Sequence, residues 1–522
     1  MNTTLKIKPV AKTVVKASPK KVQLVTMGCQ MNKLDSELVM GQMLGMGYTF
    51  TDNTDEAGVV IFNTCSVREN AENKAMGRVH NLKKRHKEKK DLILVVMGCM
   101  AQRNGRSIQK DHSHIDIACG PGQIHKIGEQ VQEVQHTRGI NKNKQVLLMN
   151  SMGDIEKLEE LDTSRQFIDR ATPLSAYVRV IRGCNKFCHY CVVPFTRGKE
   201  VSRPINNIVD ETKMLIDSGA KEITLLGQTV NSYKYTQDGT TYGLGDIFEK
   251  IHDIAGLERI RFVTNYPHDS SIASGQYNES IMYAMRDLPK VCEFLHMPVQ
   301  SGSDRILKEM NRHYTAQGYV DLIDRFRDVV PNLFVAGDII VGYCTETEED
   351  FQKTIDVLER VRFKNNFIYQ YSQRPKTEAD KLRPDDVPRA VKKERNNRLL
   401  EVQNRISLED NQKLIGTVME VMVEGPSKKP HLAGTNQPPV TKSALYLPDN
   451  KVEISKTNKL PLLNQTTPDA CGLGPTTDPQ LVGRTRGDHI AVFNGPANLV
   501  GQVIKVKVVG TTCVTLFTEI VK

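Results

Sequence analysis

Three cysteines stand in one short loop, Cys184–Asn–Lys–Phe–Cys188–His–Tyr–Cys191, directly after the apolar run SAYVRVIRG at 175–183. Three thiolates at this spacing can bind three irons of a [4Fe–4S] cube, and full protein ligation would need a fourth cysteine. None lies nearby in sequence, so one iron is left open to hold a small ligand and pass an electron into it. Structural zinc is the competing use. It would want four tetrahedral ligands, usually as two close pairs. His189 lies between two of the cysteines, where a short loop makes simultaneous ligation awkward.

A second set is dispersed. Cys29, Cys65 and Cys99 each fall one or two residues past an apolar run, VQLVTMG at 22–28, AGVVIFN at 57–63 and DLILVVMG at 91–98. Helical segments separate these runs, near 33–44 and 67–88, and the alternation predicts a parallel sheet. Parallel strands put their carboxyl ends on one edge, where α/β folds bind ligands. Three thiols from three successive loops would converge there, which favours a metal site over three buried apolar cysteines. The chain has eleven cysteines, an odd number, and at 522 residues needs no disulfides to build its cores. A reducing compartment follows, and Cys119, Cys292, Cys344, Cys471 and Cys513 are read as structural.

The elements that must position these thiols divide the chain. Residues 1–21 hold six lysines and no acid and read as a basic disordered arm; no long apolar segment follows to make a signal peptide. An α/β domain spans 22–150, and 151–172 is a linker with an acidic surface stretch, EKLEELD. Six strands separated by helices over 173–400 predict a parallel partial β/α barrel, from which a charged surface helix at 389–405 leads out. Residues 401–522 are β-rich and predict a small barrel of the oligonucleotide-binding kind. It is interrupted by the polar, proline-rich segment 427–480, expected as a mobile insertion between its first two strands. The fold class is α/β throughout the first two domains. No run approaches the ~18 apolar residues of a membrane span, and the net charge of +10 permits an anionic partner without naming one.

The motifs narrow the chemistry. RGCNKFCHYCVVPFTRGKEVSRP at 182–204 resembles the radical S-adenosylmethionine methylthiotransferases. GCQMNKLDSE, NTCSVRENAENK and MGCMAQR, around Cys29, Cys65 and Cys99, resemble the transfer-RNA branch of that family. LLGQTVNSY at 225–233, HMPVQSGSDRILKEMNRHYT at 296–315 and GDIIVGYCTETEEDF at 337–351 continue the likeness, which covers roughly 22–425 and resumes at 481–522.

The resemblance implies two [4Fe–4S] clusters. Cys184, Cys188 and Cys191 would bind the radical cluster, with S-adenosylmethionine on its open iron; Cys29, Cys65 and Cys99 would bind an auxiliary cluster that carries or delivers sulfur. Gln228, Asn231, Gln300, Ser301, Asp338 and Gly342 lie on the expected ligand edge as cofactor contacts, each with a structural hydrogen bond as the alternative. Arg197 and Arg203 would neutralise a carboxylate or phosphate, or belong to a solvated basic loop. The family's chemistry replaces the C2 hydrogen of N6-isopentenyladenosine, at position 37 beside the tRNA anticodon, with a methylthio group. No side chain is expected to act as a catalytic acid or base, because the cofactors carry the reaction.

The terminal barrel resembles the RNA-binding TRAM module, with Arg484, Arg486, Lys505 and Lys507 as candidate phosphate contacts that hold tRNA over the clusters. A cytoplasmic monomer served by flavodoxin or ferredoxin is expected; the sulfur donor is left open. Related enzymes acting on threonylcarbamoyladenosine or on a ribosomal-protein aspartate, and a non-enzymatic iron–sulfur RNA-binding protein, are the competing readings. Two departures stand out. Gly342–Tyr343–Cys344–Thr345 replaces a Gly–Phe–Pro–Gly-like turn, and Lys376 occupies a usual glycine position. Cys344 is read as a turn substitution and not as another ligand.

Overall fold

The computed structural model describes residues 20–66, 69–89, 91–137, 145–150, 153–165, 174–267, 272–427 and 478–521. The basic arm before residue 20, most of the 427–480 insertion and Cys471 lie outside the described residues.

The first unit is one all-parallel sheet of six strands. Its order is Thr49–Phe50, Lys21–Thr26, Val59–Thr64, Ile93–Gly98, Ile117–Cys119 and Val146–Leu148. Val59–Thr64 and Ile93–Gly98 are buried at every position, because helices cover both faces of the sheet. Separate apolar cores lie on the two sides, one around Leu34, Val39 and Ile61 and the other around Val60, Phe62 and Val96. The three strands not anticipated are two or three residues long, too short to carry a periodic signal. The helix expected over 67–88 is two helices, Glu69–Asn81 and Lys83–Glu88.

The expected linker contains a helix, Ile155–Thr163, capped by the Asp154 carboxylate. Its acidic stretch is only partly the solvated surface expected: Glu156 and Glu160 are exposed, but the other two acids are not. Asp162 and most of Glu159 are buried against Arg179, Arg182 and Arg203 of the next unit. Arg203 gives one guanidinium edge to Glu159 at 2.8 Å and another to Glu211 at 2.7 Å. The charged segment is therefore a buried clasp between the first two units.

The partial barrel has the six expected strands in sequential order. Ser175–Arg179, Glu222–Leu226 and Arg259–Phe262 pair in parallel, as do Phe294–His296, Phe334–Val341 and Asn365–Gln370. A parallel bridge between Ile260 and Val291 joins the two halves, and one continuous apolar core fills the interior. The charged helix is longer than expected, Arg389–Gln412, and crosses residue 400. It is not wholly a surface helix: Gln403 bonds Asn366 at 2.7 Å and the Phe363 carbonyl at 2.8 Å, and Leu399 and Ile406 join the core.

The terminal unit is a closed five-stranded barrel of Val418–Pro426, Gln480–Thr485, Ile490–Asn494, Thr515–Ile520 and Val503–Thr511 in spatial order. The insertion point does fall between its first two strands. The barrel docks on the amino ends of the central strands. Arg259 and Arg261, on one face of their strand, donate to the carbonyls of Arg484, Arg486 and Thr485. Arg486 pairs with Glu293 at 2.7 Å, and Lys364 reaches the Asp488 carbonyl. The cysteine loop follows the opposite, carboxyl end of the first strand, Ser175–Arg179. The Arg486 side chain is thus committed to docking, while Arg484 pairs with Asp488 at 2.8 Å and Glu424 at 3.4 Å and keeps over a third of its side chain exposed. Lys505 and Lys507 are exposed.

Candidate cluster and cofactor site

Cys29, Cys65 and Cys99 end neighbouring strands whose register pairs Thr26 with Asn63 and Thr64 with Gly98. A polar lattice holds these ends. Asn32 donates to Asn63 Oδ1 at 2.8 Å and to the Thr64 carbonyl at 3.0 Å; Asn63 returns a bond to the Asn32 carbonyl at 2.7 Å. Gly28 is required by space and backbone together. Its φ is +143°, and a Cβ there would come within 2.8 Å of Cys65 Cβ. Cys29 precedes the helix Gln30–Gly45 and Cys99 opens the helix Cys99–Asp111, so two thiols sit at positive helix ends. The Cys65 thiol beside it, Arg197 and the Asn32 amide outweigh burial and draw the Cys29 thiol down to about 6. Burial pushes Cys99 up.

The Cys184–Cys191 loop is anchored from across the barrel. The His189 amide donates to the Met310 carbonyl at 3.0 Å, and its ring meets the Glu309 carbonyl at 2.8 Å. The imidazole's Nδ1 is thereby engaged away from the thiols. Asn311 donates to the Phe187 carbonyl, and Arg312 Nη1 lies 3.4 Å from Cys188 Sγ. Burial pushes Cys184 up to about 11 and Cys191 higher still.

A five-residue helix, Val193–Arg197, starts two residues after Cys191 and joins the two thiol sets. Thr196 is fully buried beside Cys99, its hydroxyl donating to the Val193 carbonyl at 3.3 Å; Arg197 pairs with Asp35 of the first unit at 2.8 Å and lies in the field of Cys29 and Cys99. Arg203 belongs to the buried clasp. Neither arginine is in a solvated loop.

The remaining expected contacts divide. Asn231 is consumed structurally: its Nδ2 donates to the Tyr266 carbonyl at 2.7 Å and its Oδ1 accepts the Tyr266 amide at 2.8 Å. Ser301 is buried, accepting from the Ser303 amide and lying 3.4 Å from the Thr354 hydroxyl. Both side chains hydrogen-bond within the protein and fix neighbouring loops. Gly342 has φ +69° and accommodates the Lys392 stem, and its amide donates to Glu346 at 2.7 Å. It too shapes the wall. Gln228 is half-buried just past Glu222–Leu226. Gln300 is held at φ +72° by backbone bonds to Asp338 and Ile340, a strained state for a residue with a Cβ. Asp338 approaches His296 at 3.6 Å.

Two residues not singled out in the sequence join this group. Among the described residues, Asn265 Oδ1 is buried without a hydrogen-bond partner, His296 Nε2 has only the Asp338 carboxylate at 3.6 Å, and Thr264 beside them has φ +69°. Unpaired buried polar atoms next to strained backbone are what a bound polar ligand would satisfy. His296 and Arg312 both lie within the 296–315 motif, but nothing in their spacing marked them.

The donor sets fit iron–sulfur clusters. Each is three buried or half-buried thiols from one loop or one sheet edge, and bound iron would hold them deprotonated against their burial. Among the described residues no three His, Cys, Asp or Glu side chains stand as around a single ion; the thiolates of a four-iron cube surround a larger body.

Comparisons with known proteins give the family. Residues 178–358 match the Radical SAM superfamily and residues 21–120 the uncharacterized protein family UPF0004, which sets the class: a radical S-adenosylmethionine enzyme with an amino-terminal α/β unit. A tRNA-2-methylthio-N(6)-dimethylallyladenosine synthase of Rhodopirellula baltica is 43% identical over 497 residues, 94% of this chain and 93% of that protein. The enzyme of the same name from Acetivibrio thermocellus is 40% identical over 498 residues, 95% of this chain and 90% of its own. Among solved structures, a radical S-adenosylmethionine methyltransferase from Kitasatospora setae aligns at 13% identity with a TM-score of 0.48, covering 70% of this chain and 77% of that one. The chain belongs to the tRNA-2-methylthio-N(6)-dimethylallyladenosine synthase family.

Proposed function

We propose that this chain methylthiolates C2 of N6-isopentenyladenosine at position 37 of tRNA, giving 2-methylthio-N6-isopentenyladenosine. The observation that carries the reading is the helix Val193–Arg197, which follows one thiol triad and is tied by the Arg197–Asp35 pair to the helix that follows Cys29 of the other. Cys184, Cys188 and Cys191 would hold the radical [4Fe–4S] cluster, and Cys29, Cys65 and Cys99 a second one. When bound, these groups and S-adenosylmethionine supply one-electron reduction, radical removal of the C2 hydrogen, sulfur and a methyl group.

The protein's own residues bind, orient and exclude water. Gln228, Gln300 and Asp338, with Asn265 and His296, offer polar groups to S-adenosylmethionine at the carboxyl ends of the strands. Asn231 fixes Tyr266, whose ring walls the cysteine loop through Lys186 at 4.9 Å and Arg312 at 4.4 Å. Ser301 and Gly342 hold the neighbouring loops. Arg197 and Thr196 keep the second thiol set in register with the first.

The anticodon stem-loop would enter at this carboxyl edge, while Lys505 and Lys507 of the TRAM-like barrel reach phosphates farther along the tRNA. The unit boundaries at 150, 172 and 400 serve as working divisions. A cytoplasmic monomer, reduced by a flavodoxin or ferredoxin, suits this chemistry. No described helix is long and apolar enough to cross a membrane.

The test is an anaerobic assay of reconstituted protein with reductant, S-adenosylmethionine and tRNA bearing either adenosine modification, read by nucleoside mass spectrometry. A methylthio product from the isopentenyl substrate alone is expected. A product only from the threonylcarbamoyl substrate, or none from cluster-loaded protein, would overturn the reading.

A further inference from the structure

Arg312 is buried and faces no carboxylate. Its Nε donates to the Tyr314 hydroxyl at 2.8 Å, Nη2 to the Pro298 carbonyl at 3.1 Å, and Nη1 to Cys188 Sγ at 3.4 Å. Its planar head lies 4.4 Å from the Tyr266 ring centre and 5.0 Å from that of Tyr314. Among the described residues no Asp or Glu forms an ion pair with it, and the groups around it are the phenols of Tyr314, Tyr190 and Tyr266 and the sulfur of Cys188. Several other buried arginines are compensated, Arg179 and Arg197 by Asp35, Arg203 by Glu159 and Glu211, Arg395 by Glu346, while Arg259 is held by the Arg484 and Glu420 carbonyls. A buried guanidinium without an anion is costly, and the fold spends three polar contacts and two aromatic faces to keep it. The anion within its reach is the Cys188 thiolate.

We propose that Arg312 is a positioning residue that sets the reduction potential of the cluster held by Cys184, Cys188 and Cys191. The inference rests on the proposed reading that this triad holds a cluster. Reduction adds one electron from an external low-potential donor of the flavodoxin or ferredoxin class. No bond in the protein forms or breaks, and no proton is taken up, because the guanidinium is charged before and after. Hydrogen bonds and positive charge at a ligand sulfur favour the more negative, reduced state and so raise the potential. Arg312 acts through Cys188; it need not touch the substrate.

The experiment is a potentiometric titration of the reconstituted full chain. It follows the electron-resonance signal that changes when S-adenosylmethionine is added, in wild type, Arg312→Gln and Arg312→Lys. Iron content is measured alongside. Gln removes the charge and is expected to lower the reduced-to-oxidised ratio at a fixed potential by about tenfold, a midpoint ~59 mV more negative. Lys keeps the charge but not the planar fork, and shifts less in the same direction. An unchanged or more positive midpoint in Arg312→Gln at wild-type iron content would overturn the proposal. Should Arg312→Gln load less iron, Arg312→Lys decides by the same sign. A wild-type chain with no such signal would overturn the cluster reading itself, a separate failure.

Discussion

Arg197 and Asp35 form a buried ion pair, 2.8 Å long, between the segment after Cys191 and the helix after Cys29. Asp35 is fully buried and its second oxygen accepts from Arg179 at 2.9 Å, so one carboxylate ties two arginines of the barrel to the first unit. The pair is in effect a ruler between the two thiol sets. Removing one member of a buried pair leaves the other charge uncompensated, at about 3–5 kcal/mol. Asp35→Asn is expected to lower the apparent melting temperature by several degrees and to expose the inter-unit segment to protease. A change under about 1 kcal/mol would show that the pair holds nothing.

The acidic clasp gives a pH dependence. Burial pushes Asp162 up, but Arg179, Arg182, Arg203 and Arg165 outweigh it and hold the carboxyl at about 2, below its ordinary 3.8. A depressed carboxylate contributes stability above its unfolded value and loses it as pH falls through the folded one. The contribution, about 2 kcal/mol at ~1.4 kcal/mol per unit, should fade between about pH 4 and 2. Denaturant midpoints over that window should fall more steeply in wild type than in Asp162→Asn. Parallel curves would contradict the clasp.

Lys376 and Thr345 both sit in the left-handed region, at φ +72° and +65°, where the family pattern has glycine. The backbone bend is retained and the side chains strain it. Lys376 is exposed, so Lys376→Gly gives up little packing. Relief of ~1–2 kcal/mol of steric cost against the ~0.4–1 kcal/mol entropy of glycine predicts a net gain of about 0.5–1 kcal/mol. A lower melting temperature would contradict it. Thr345→Gly gains less, because its hydroxyl accepts from Arg305 at 3.0 Å.

Much of this layout is legible in the sequence because its signals are local. A cysteine following an apolar run is a strand-end cysteine, and a parallel sheet then puts three of them on one edge. What stayed hidden depends on distant partners. Nothing near EKLEELD announces the arginines at 179, 182 and 203 that bury it. Asn231 looked like a ligand because it follows a strand, yet its amide is spent on Tyr266, 35 residues away. Arg486 carries the same charge as Lys505 and Lys507, and only packing separates the docking residue from the exposed ones.

That distinction is itself testable by tRNA binding. Lys505→Glu with Lys507→Glu should weaken binding and reduce the salt slope by about one for each phosphate no longer neutralised. Arg486→Ala should instead loosen the terminal barrel, seen as faster proteolysis near 413–417, while the salt slope stays at the wild-type value. Equal slope changes for both variants would contradict the assignment.

The central claim is that two cysteine triads from two units each hold a cluster side by side. Iron analysis of anaerobically reconstituted full-length protein tests it most directly, alongside Cys29/Cys65/Cys99→Ala and Cys184/Cys188/Cys191→Ala variants. The account predicts about eight irons per chain in wild type and about four in each variant. About four irons in wild type, with one variant indistinguishable from it, would contradict the account.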